Sequence, residues 1–541
     1  MSSIEDNEVE VLIIGAGASG AAVAWSLASS GIEVLCLEQG GWTDPKDYAS
    51  AHDDWELRAA NISNPQPNVR NLPSDYPVND KDSPIAPLMY NAVGGSTIFW
   101  SAHFPRFHPS DFKVKSLDGV ADDWPISYRQ LEPYFDKNDE IMGVSGLDGD
   151  PAYPLKSPRQ MPPFPLGKGG EKLVDGFNKL GWHWWPSDAA INNSKYDGRA
   201  ACNYCGPCNT GCYLGAKAST DITYWPKAIS LGAKIVTNAR VRELIVGKDG
   251  LVKGALYYDE NGNLQQQNAK LVVVACNGVG TPRLLLNSSS SMFPDGLANS
   301  SGLVGKNLMF HPYAAVTGFF DEFVGGYIGP QGISIISQEF YETDLSRGFV
   351  RGYSFQATAK GPGPRGAANA GGMAAGQASY IAWGEGHHDA FESKYGRTAT
   401  IVVIGEDLPE EINTVTLDPE LTDGDGIPAP KITYRMSENS LNMMDHGVKK
   451  AEELLNASGA IHITNNPLLR VAGWHLMGTA RMGLDPSKSV VNEKGQAHDI
   501  KNLFIVDGSV FVTGAAVNPT STIQAVALYI ADQIKKEVTH L

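Results

Sequence analysis

The feature that most constrains the fold is a glycine-rich turn between a short apolar run and a stretch rich in small residues. The apolar run is VEVLII (9–14), the turn is GAGASG (15–20), and AAVAWSLASSG (21–31) follows. An apolar run of this length that ends at turn residues predicts a buried strand. With a second apolar run at 32–37 it forms a βαβ unit of about thirty residues, the size that the motif requires. The pattern predicts an α/β domain with a Rossmann-like sheet.

The glycines of the turn predict a dinucleotide-binding site. Gly15, Gly17 and Gly20 fit GxGxxG directly after a strand and before a helix, the context that makes the pattern informative. The first glycine permits the tight turn, the second lets the backbone approach a pyrophosphate, and the third lets helix and strand pack closely. Glu38 ends the second strand, where a carboxylate can accept hydrogen bonds from a ribose. An ordinary tight turn is the alternative, and the motif alone does not separate NAD from FAD.

Length and charge limit the classes of protein. At 541 residues the chain exceeds the size of a single hydrophobic core, so two domains are expected. The net charge of −17 argues against a nucleic-acid partner, which would require clustered Lys and Arg. The sequence contains no apolar run of about 18 residues, so no membrane-spanning segment is predicted. The acidic start MSSIEDNEVE is unlike a signal peptide. We therefore expect a soluble, cytoplasmic protein.

The strand pattern divides the chain into a split nucleotide-binding domain and an inserted domain. Residues 311–465 hold the alternating runs AVTGFF, ISIIS, TATIVVI and NTVTLD, which predict a mainly antiparallel sheet. The predicted domains are 1–310 with 466–541, carrying an inserted Cys-rich loop at 202–212, and 311–465. The fold class is thus α/β, or α+β over the whole chain. A Gly-rich stretch at 361–376 is predicted to be either a gate over a pocket or a surface loop.

Further segments carry a resemblance to a known family. They are NAVGGSTIFWSAHFPRF (91–107), GVGTPRLLLNSS (278–289), GWHLMGTARMG (473–483) and VDGSVFVTGAAVNPTSTIQA (506–525). Together with the glycine turn they resemble the glucose-methanol-choline (GMC) oxidoreductase family, and are most similar to its pyranose 2-oxidase branch. The resemblance implies FAD as the cofactor and oxidation of an alcohol as the reaction.

The resemblance also implies which residues contact the cofactor. In the pyranose 2-oxidase branch a histidine before the Trp can bind FAD covalently, whereas Phe99 stands before Trp100 here, so noncovalent FAD is implied. Ser101 is similar to the position that brings a hydroxyl near flavin N5, and Val241 to a position whose backbone meets the adenine. The full predicted cofactor set is Gly15, Gly17, Ala18, Ser19, Gly20, Glu38, Gly94, Gly95, Ser96, Trp100, Ser101, Val241, Asp507, Asn518 and Thr520.

His475 and Asn518 are the candidate catalytic residues. An alcohol must lose a hydroxyl proton and a carbon-bound hydride, and the hydride leaves easily only as alkoxide character develops on the oxygen. A neutral imidazole suits proton removal near pH 7. An asparagine amide can donate to the same oxygen without competing for the proton. The alternative for His475 is a hydrogen-bonded core histidine beside Trp474.

Four cysteines require a separate explanation. Cys202, Cys205, Cys208 and Cys212 are spaced CxxCxxCxxxC, as in the cluster-binding run of bacterial ferredoxins. Tyr213 follows where the ferredoxin run usually has Pro. An iron–sulfur cluster, a zinc site and reduced structural thiols are the three interpretations.

The primary functional hypothesis is FAD-dependent oxidation of a sugar or glycoside hydroxyl to a carbonyl. The resemblance to the pyranose 2-oxidase branch favours a sugar, and aromatics of the second domain (Phe319, Phe320, Tyr327, Tyr353, Phe355 and Trp383) would also suit a bulky phenylpropanoid-type primary alcohol. An alternative of another class is an electron-relay flavoprotein subunit that uses a Cys-ligated cluster. The electron acceptor would be oxygen, a quinone or a redox protein, and an oligomer is compatible with these features.

Overall fold

A computed structural model describes residues 8–330, 334–358 and 384–538. Its strands, in chain order, are β1 (Glu8–Ile14), β2 (Val34–Leu37), β3 (Asn79–Asp82), β4 (Trp185–Pro186), β5 (Lys234–Val236), β6 (Arg240–Val246), β7 (Val252–Tyr258), β8 (Leu264–Val274), β9 (Tyr313–Phe319), β10 (Ile335–Ser337), β11 (Tyr353–Thr358), β12 (Thr398–Gly405), β13 (Thr414–Thr422), β14 (Pro428–Thr433), β15 (His462–Asn466) and β16 (Leu503–Ile505). Its α-helices are α1 (Ala18–Ala28), α2 (Trp55–Ala59), α3 (Pro67–Arg70), α4 (Val114–Asp118), α5 (Tyr128–Met142), α6 (Gly167–Leu180), α7 (Tyr224–Ser230), α8 (Asn277–Asn287), α9 (His387–Glu392), α10 (Glu438–Ala457) and α11 (Thr520–Val538).

The first sheet positions the nucleotide end of the site. Its order is β5-β2-β1-β8-β7-β6, with β16 also paired to β8. β1 pairs in parallel with β2 and with β8, and helices α1 and α11 pack against each other beside this sheet. Residues 11–13 of β1 are fully buried, as expected for a parallel strand covered on both faces, and this explains its continuous apolar run. The predicted parallel α/β domain is confirmed.

Strand β8 is the junction of the first sheet. Its first half pairs antiparallel with β7, while its second half lies between β1 and β16, both parallel to it. Strands β6, β7 and β8 therefore form an antiparallel meander within the first sheet. At the end of β8, Val274 pairs with Ile14 of β1 on one side and with Ile505 of β16 on the other. Segments far apart in the chain thus meet at one edge.

The second sheet is antiparallel, as predicted, and has the order β15-β9-β12-β11-β10-β4. Helices α6 and α10 cover one of its faces, where Tyr353, Phe355, Ile401 and Val403 join their apolar side chains in one core cluster. Because side chains alternate along a strand, the residues between these positions point to the opposite face. Two of those, Gln356 and Val402, are directly paired and line the cavity described below.

Two features of the segment 311–465 go beyond the predicted mainly antiparallel domain. The run NTVTLD forms β13, which joins a separate three-stranded sheet with the order β13-β14-β3. Conversely, α6 and β4 come from the first half of the chain, yet β4 pairs with β10 and α6 packs on α10. Short edge pairings of this kind have no strong periodicity in the sequence. The domain boundaries remain a prediction, and the Gly-rich stretch 361–376 lies outside the described residues.

Candidate active site

The glycine turn has the geometry expected of a pyrophosphate-binding turn. Gly15 has φ +102°, and a Cβ there would lie 2.5 Å from the Ala275 carbonyl oxygen. A Cβ on Gly20 would lie 2.0 Å from the Gly15 carbonyl oxygen, so this glycine packs helix against strand. Gly17, just before α1, has no atom within 4 Å of the equivalent position and lines a cavity of about 570 Å³. The turn therefore presents open backbone to the cavity at the N-terminus of a helix, which favours phosphate.

Glu38 is held at the end of β2 by backbone groups. Its carboxylate accepts a hydrogen bond from Ala16 N at 2.8 Å and another from Gly40 N at 2.9 Å. Burial raises the pKa of this carboxyl to about 7, against the lowering effect of the backbone donors. Glu38 lines the cavity and also ties the glycine turn to the strand end, so its carboxylate has a structural role in addition to any ribose contact.

The second glycine turn packs directly against the first. Gly94 has φ +101° and its N–H donates to the Ala16 carbonyl at 3.0 Å. A Cβ on Gly95 would lie 2.9 Å from Gly17 Cα. Trp100 is fixed by its indole N–H, which donates to the Ala218 carbonyl at 2.8 Å. The two glycine pairs allow a close backbone approach that side chains would prevent.

Most of the predicted cofactor residues line this one cavity. Gly20 and Gly94 are the exceptions, because each packs against neighbouring chain behind the lining. Asp507 is buried, accepts from Thr281 Oγ1 at 2.6 Å and from Ser509 N at 2.8 Å, and burial raises its pKa. The predicted residues that line the cavity are Gly15, Gly17, Ala18, Ser19, Glu38, Gly95, Ser96, Trp100, Ser101, Val241, Asp507, Asn518, Thr520 and His475.

His475 and Asn518 meet at one end of the cavity. Asn518 Nδ2 lies 3.4 Å from His475 Nε2, although 43 residues separate them in the chain. His475 is 8% exposed, and burial lowers its pKa well below 6.5, with the nearby rings of His311 and His103 adding to the effect. The imidazole is therefore neutral near pH 7 and able to accept a proton.

Three polar residues at this end were not predicted from the sequence. His311 Nδ1 lies 2.6 Å from His475 Nδ1, while His103 Nδ1 and Gln356 Nε2 lie 2.8 and 2.5 Å from Asn518 Oδ1. His103 lies two residues after Ser101, within the segment 91–107 that carries the family resemblance. Its place in that segment could have identified it as a site residue. His311 and Gln356 are brought to the site only by the second sheet, so no local pattern marks them.

The space beside His475 is lined by both polar and apolar groups of the second sheet. Tyr313, Gln356, Thr400 and Val402 come from β9, β11 and β12, and Trp474 lies next to the histidine in the chain. None of the described aromatics proposed for substrate contact, at positions 319, 320, 327, 353 and 355, is among the lining residues. Tyr353 and Phe355 point instead toward α6 and α10, because they lie on the opposite face of β11 from Gln356. Trp383 lies outside the described residues.

The Cys-rich loop lies behind the second glycine turn. Lys217, which is buried, donates to the carbonyl oxygens of Thr97 and Ile98 at 3.3 and 2.8 Å, and its N–H contacts Cys212 Sγ at 3.4 Å. Burial raises the pKa of Cys202 to about 12, with thiols 205, 208 and 212 adding to it. Among residues 8–330, 334–358 and 384–538, no group of three or more His, Cys, Asp or Glu side chains is arranged to hold a metal ion. The cluster interpretation is therefore still a prediction.

Comparison with known sequences identifies two matching family models. Both are described as GMC oxidoreductase, and they match residues 9–313 and 409–527. A 2-methyl-1,2-propanediol dehydrogenase of Mycolicibacterium austroafricanum is 42% identical, over 99% of this chain and 96% of that protein. The fructose dehydrogenase large subunit of Gluconobacter japonicus is 30% identical, over 99% of each chain.

Comparison with solved structures shows the same fold. The crystal structure of pyridoxine 4-oxidase from Mesorbium loti superposes with a TM-score of 0.68 at 16% identity, covering 98% of this chain and 99% of that one. In the part of the chain that the structure describes, no helix is long and apolar enough to cross a membrane.

Proposed function

The chain belongs to the GMC oxidoreductase family, and from that premise we propose that it oxidises a hydroxyl of a small diol or sugar to a carbonyl, with His475 as the base. The family is one of FAD-dependent oxidoreductases that act on CH–OH groups. The observation that carries the proposal is the pairing of His475 with Asn518 in the same cavity that the glycine turn opens into.

The residues of the cavity fit FAD, the cofactor expected of the family. The open position at Gly17, the close approach of Gly95 to it and the carboxylate of Glu38 form a cradle that any Cβ at these glycines would obstruct or narrow. Phe99 in place of a histidine favours noncovalent binding. When bound, FAD supplies the acceptor for the hydride that leaves the alcohol carbon.

The chain's own residues supply the proton chemistry. The Nε2 atom of a neutral His475 can take the hydroxyl proton, and Asn518 Nδ2, 3.4 Å away, can donate to the same oxygen. His475 is itself buried, and the lower local dielectric of a buried position strengthens both interactions. The pair thus promotes alkoxide character at one oxygen and fixes its position.

The substrate class rests on the cavity and on the relatives. Tyr313, Gln356 and Thr400 offer polar atoms for a second hydroxyl, while Val402 and Trp474 suit a short aliphatic or ring carbon face. The 42% identical relative is named for a diol and the 30% identical relative for a sugar. The sugar or glycoside substrate, the likeness to the pyranose 2-oxidase branch and the aromatic-alcohol alternative all stay predictions. The aromatic alternative has less support, because the aromatics that suggested it do not line the cavity.

The route by which electrons leave is also a proposal. The Cys-rich loop adjoins the turn at residues 95–98 through Lys217, a suitable place for a cluster that passes electrons to a partner. Without a cluster, oxygen or a quinone is the expected acceptor. Iron analysis of the purified protein decides between the two. Cytoplasmic localisation is proposed on the sequence alone.

The function is tested by anaerobic visible spectroscopy of the purified protein. We expect a bound-flavin band that bleaches with 2-methyl-1,2-propanediol or fructose, and more slowly or not at all with cinnamyl alcohol. The His475→Ala variant should retain bound flavin. The rate of flavin reduction by substrate should fall about 10²- to 10⁴-fold, the usual contribution of a general base. His498→Ala, a histidine bonded to Ser489 away from the cavity, is the matched control. Unchanged reduction in His475→Ala would remove the base assignment, and bleaching by none of the alcohols would overturn the substrate proposal.

A further inference from the structure

The proton position on His311 follows from two backbone carbonyls. His311 Nε2 lies 3.0 Å from the Gly514 oxygen and 2.8 Å from the Ala515 oxygen. Carbonyl oxygens only accept hydrogen bonds, so this nitrogen carries a proton. Burial lowers the pKa of His311 to about 4, so the ring is neutral near pH 7 and its Nδ1 is an unprotonated acceptor.

The proton position on His475 follows from that of His311. The two Nδ1 atoms are 2.6 Å apart, and a short contact between two lone pairs would be repulsive. His475 Nδ1 must therefore be the donor, which leaves the lone pair of a neutral His475 on Nε2. Tyr313 Oη, 3.5 Å from the same Nδ1, can only be a second acceptor in this arrangement.

The orientation of Asn518 follows in turn. His475 Nε2 carries a lone pair, so the group facing it at 3.4 Å is the amide NH₂ of Asn518 rather than its oxygen. Asn518 Oδ1 then accepts from Gln356 Nε2 and from a protonated His103 Nδ1. His103 Nε2 is left as the acceptor from the Ser187 hydroxyl. Each hydrogen bond among these six side chains then has one donor and one acceptor.

We propose that His311 is a positioning residue which, held by the carbonyls of Gly514 and Ala515, keeps the lone pair of His475 on Nε2, the atom that faces Asn518 and the cavity. The proposal rests on the proposed function, since it assigns the proton-accepting atom of that reaction. His311 does not itself line the cavity; it contacts His475, which does, and acts through that residue.

The loop that carries the two carbonyls is anchored on both sides of them. Thr513 Oγ1 donates to the Asp111 carbonyl at 3.0 Å, and Ser354 Oγ donates to the Ala516 carbonyl at 2.6 Å. Ala515 has φ +59°, a left-handed conformation that a non-glycine residue keeps only when its surroundings impose it. These bonds hold the two carbonyls toward His311 Nε2. The backbone therefore determines which nitrogen of His311 carries the proton.

A pair of substitutions separates positioning from a structural role. In His311→Asn the side-chain oxygen can take the place of Nδ1 and still accept from His475. In His311→Gln the amide NH₂ can instead take the place of Nε2, which keeps the bonds to the carbonyls but loses the acceptor. We expect flavin reduction in His311→Asn to stay within about tenfold of the wild-type rate. In His311→Gln it should fall about 10- to 100-fold, with KM and flavin content unchanged.

The controls are His446→Asn and His446→Gln. His446 is a half-buried histidine that bonds Tyr353 Oη at 2.9 Å on the far face of the second sheet, and both changes should leave reduction unaltered. Equal losses in the two His311 variants, or losses that follow flavin content, would overturn the proposal.

Nitrogen NMR of histidine-labelled holoenzyme without substrate tests the proton order directly, with His475→Ala identifying the signals. We expect a protonated Nδ1 and an unprotonated Nε2 on His475 in the wild type and in His311→Asn, and a mixed or reversed pattern in His311→Gln. A protonated Nε2 in the wild type, or the same pattern in all three proteins, would refute the proposal. Because no substrate is present, this result stands whether or not the proposed alcohols reduce the flavin.

Discussion

The two ends of the cavity are built by different means. The nucleotide end consists mainly of backbone from two glycine turns that pack on each other, with Gly95 beside Gly17. The His475 end consists of side chains from five separate segments of the chain, those of His103, His311, Gln356, His475 and Asn518. A backbone site tolerates almost no added atoms but needs few specific side chains, whereas the side-chain site needs each partner in one orientation. The two ends should therefore fail differently when changed.

The largest effect is expected at the nucleotide end. Gly20→Val would place Cβ 2.0 Å from the Gly15 carbonyl oxygen, so the turn or α1 must shift. We expect purified protein without bound flavin and with a lowered melting temperature, measured by absorbance and thermal unfolding. Gly424→Ala is the control, since nothing lies within 4 Å of a Cβ there. Normal flavin content in Gly20→Val would show that the close helix–strand packing is not required.

A smaller and different effect is expected at the His475 end. Gln356→Met keeps the shape of the side chain but removes the donor to Asn518 Oδ1. We expect flavin content to be normal and the rate constant of flavin reduction to fall about 10- to 100-fold, as for other groups that orient a catalytic residue. Gln338→Met, which alters a buried glutamine bonded to Tyr153, is the matched control. A loss of flavin in Gln356→Met would contradict the separation of the two ends.

The pH dependence of flavin reduction should reflect the buried histidines. His475 accepts a proton only when neutral, and its pKa is lowered well below 6.5. The histidines that face it, His311 and His103, have pKa values lowered to about 4. Stopped-flow reduction should therefore show less than about a twofold change in rate between pH 6.5 and 8. If the rate of flavin reduction instead falls toward low pH with a midpoint at or above pH 6.5, the pKa of His475 is not lowered by burial.

The smallest effect concerns stability, and it has opposite signs at the two ends. The pKa of Glu38 is raised from 4.5 to about 7, so the folded state binds the extra proton and the stabilisation falls as pH rises across that range. The pKa of His103 is lowered from 6.5 to about 4, so the unfolded state binds the extra proton and stabilisation rises with pH from about 4 to 6.5. Each contribution should be on the order of 1 to 3 kcal/mol.

This contrast is measured by urea unfolding of cofactor-stripped protein between pH 4.5 and 7.5. The difference between wild type and Glu38→Gln should shrink with rising pH, while the difference between wild type and His103→Asn should grow. If the two differences in unfolding free energy change with pH in the same direction, the opposite pKa shifts of Glu38 and His103 are wrong.

The same contrast explains what the sequence could predict. The glycine turn, β1, α1 and Glu38 lie within about thirty residues, and their spacing alone predicts a βαβ unit. His475 and Asn518 were predicted from a resemblance to known segments. His311 and Gln356 were missed because only the register of β9, β11 and β12 brings them to Asn518 and His475. The aromatics Tyr353 and Phe355 were assigned to the substrate because the face of a strand that meets a cavity is not encoded by residue type.

The alternation of β11 and β12 has a consequence for how such an enzyme diversifies. One face of these strands packs under α6 and α10, and the other presents Gln356, Thr400 and Val402 to the cavity. Substitutions at Thr400 and Val402 can therefore reshape the cavity wall without changing the hydrophobic support, the glycine turns or the bond from Gln356 to Asn518. A lineage that carries this arrangement can acquire new substrates through a handful of substitutions on one side of a single sheet.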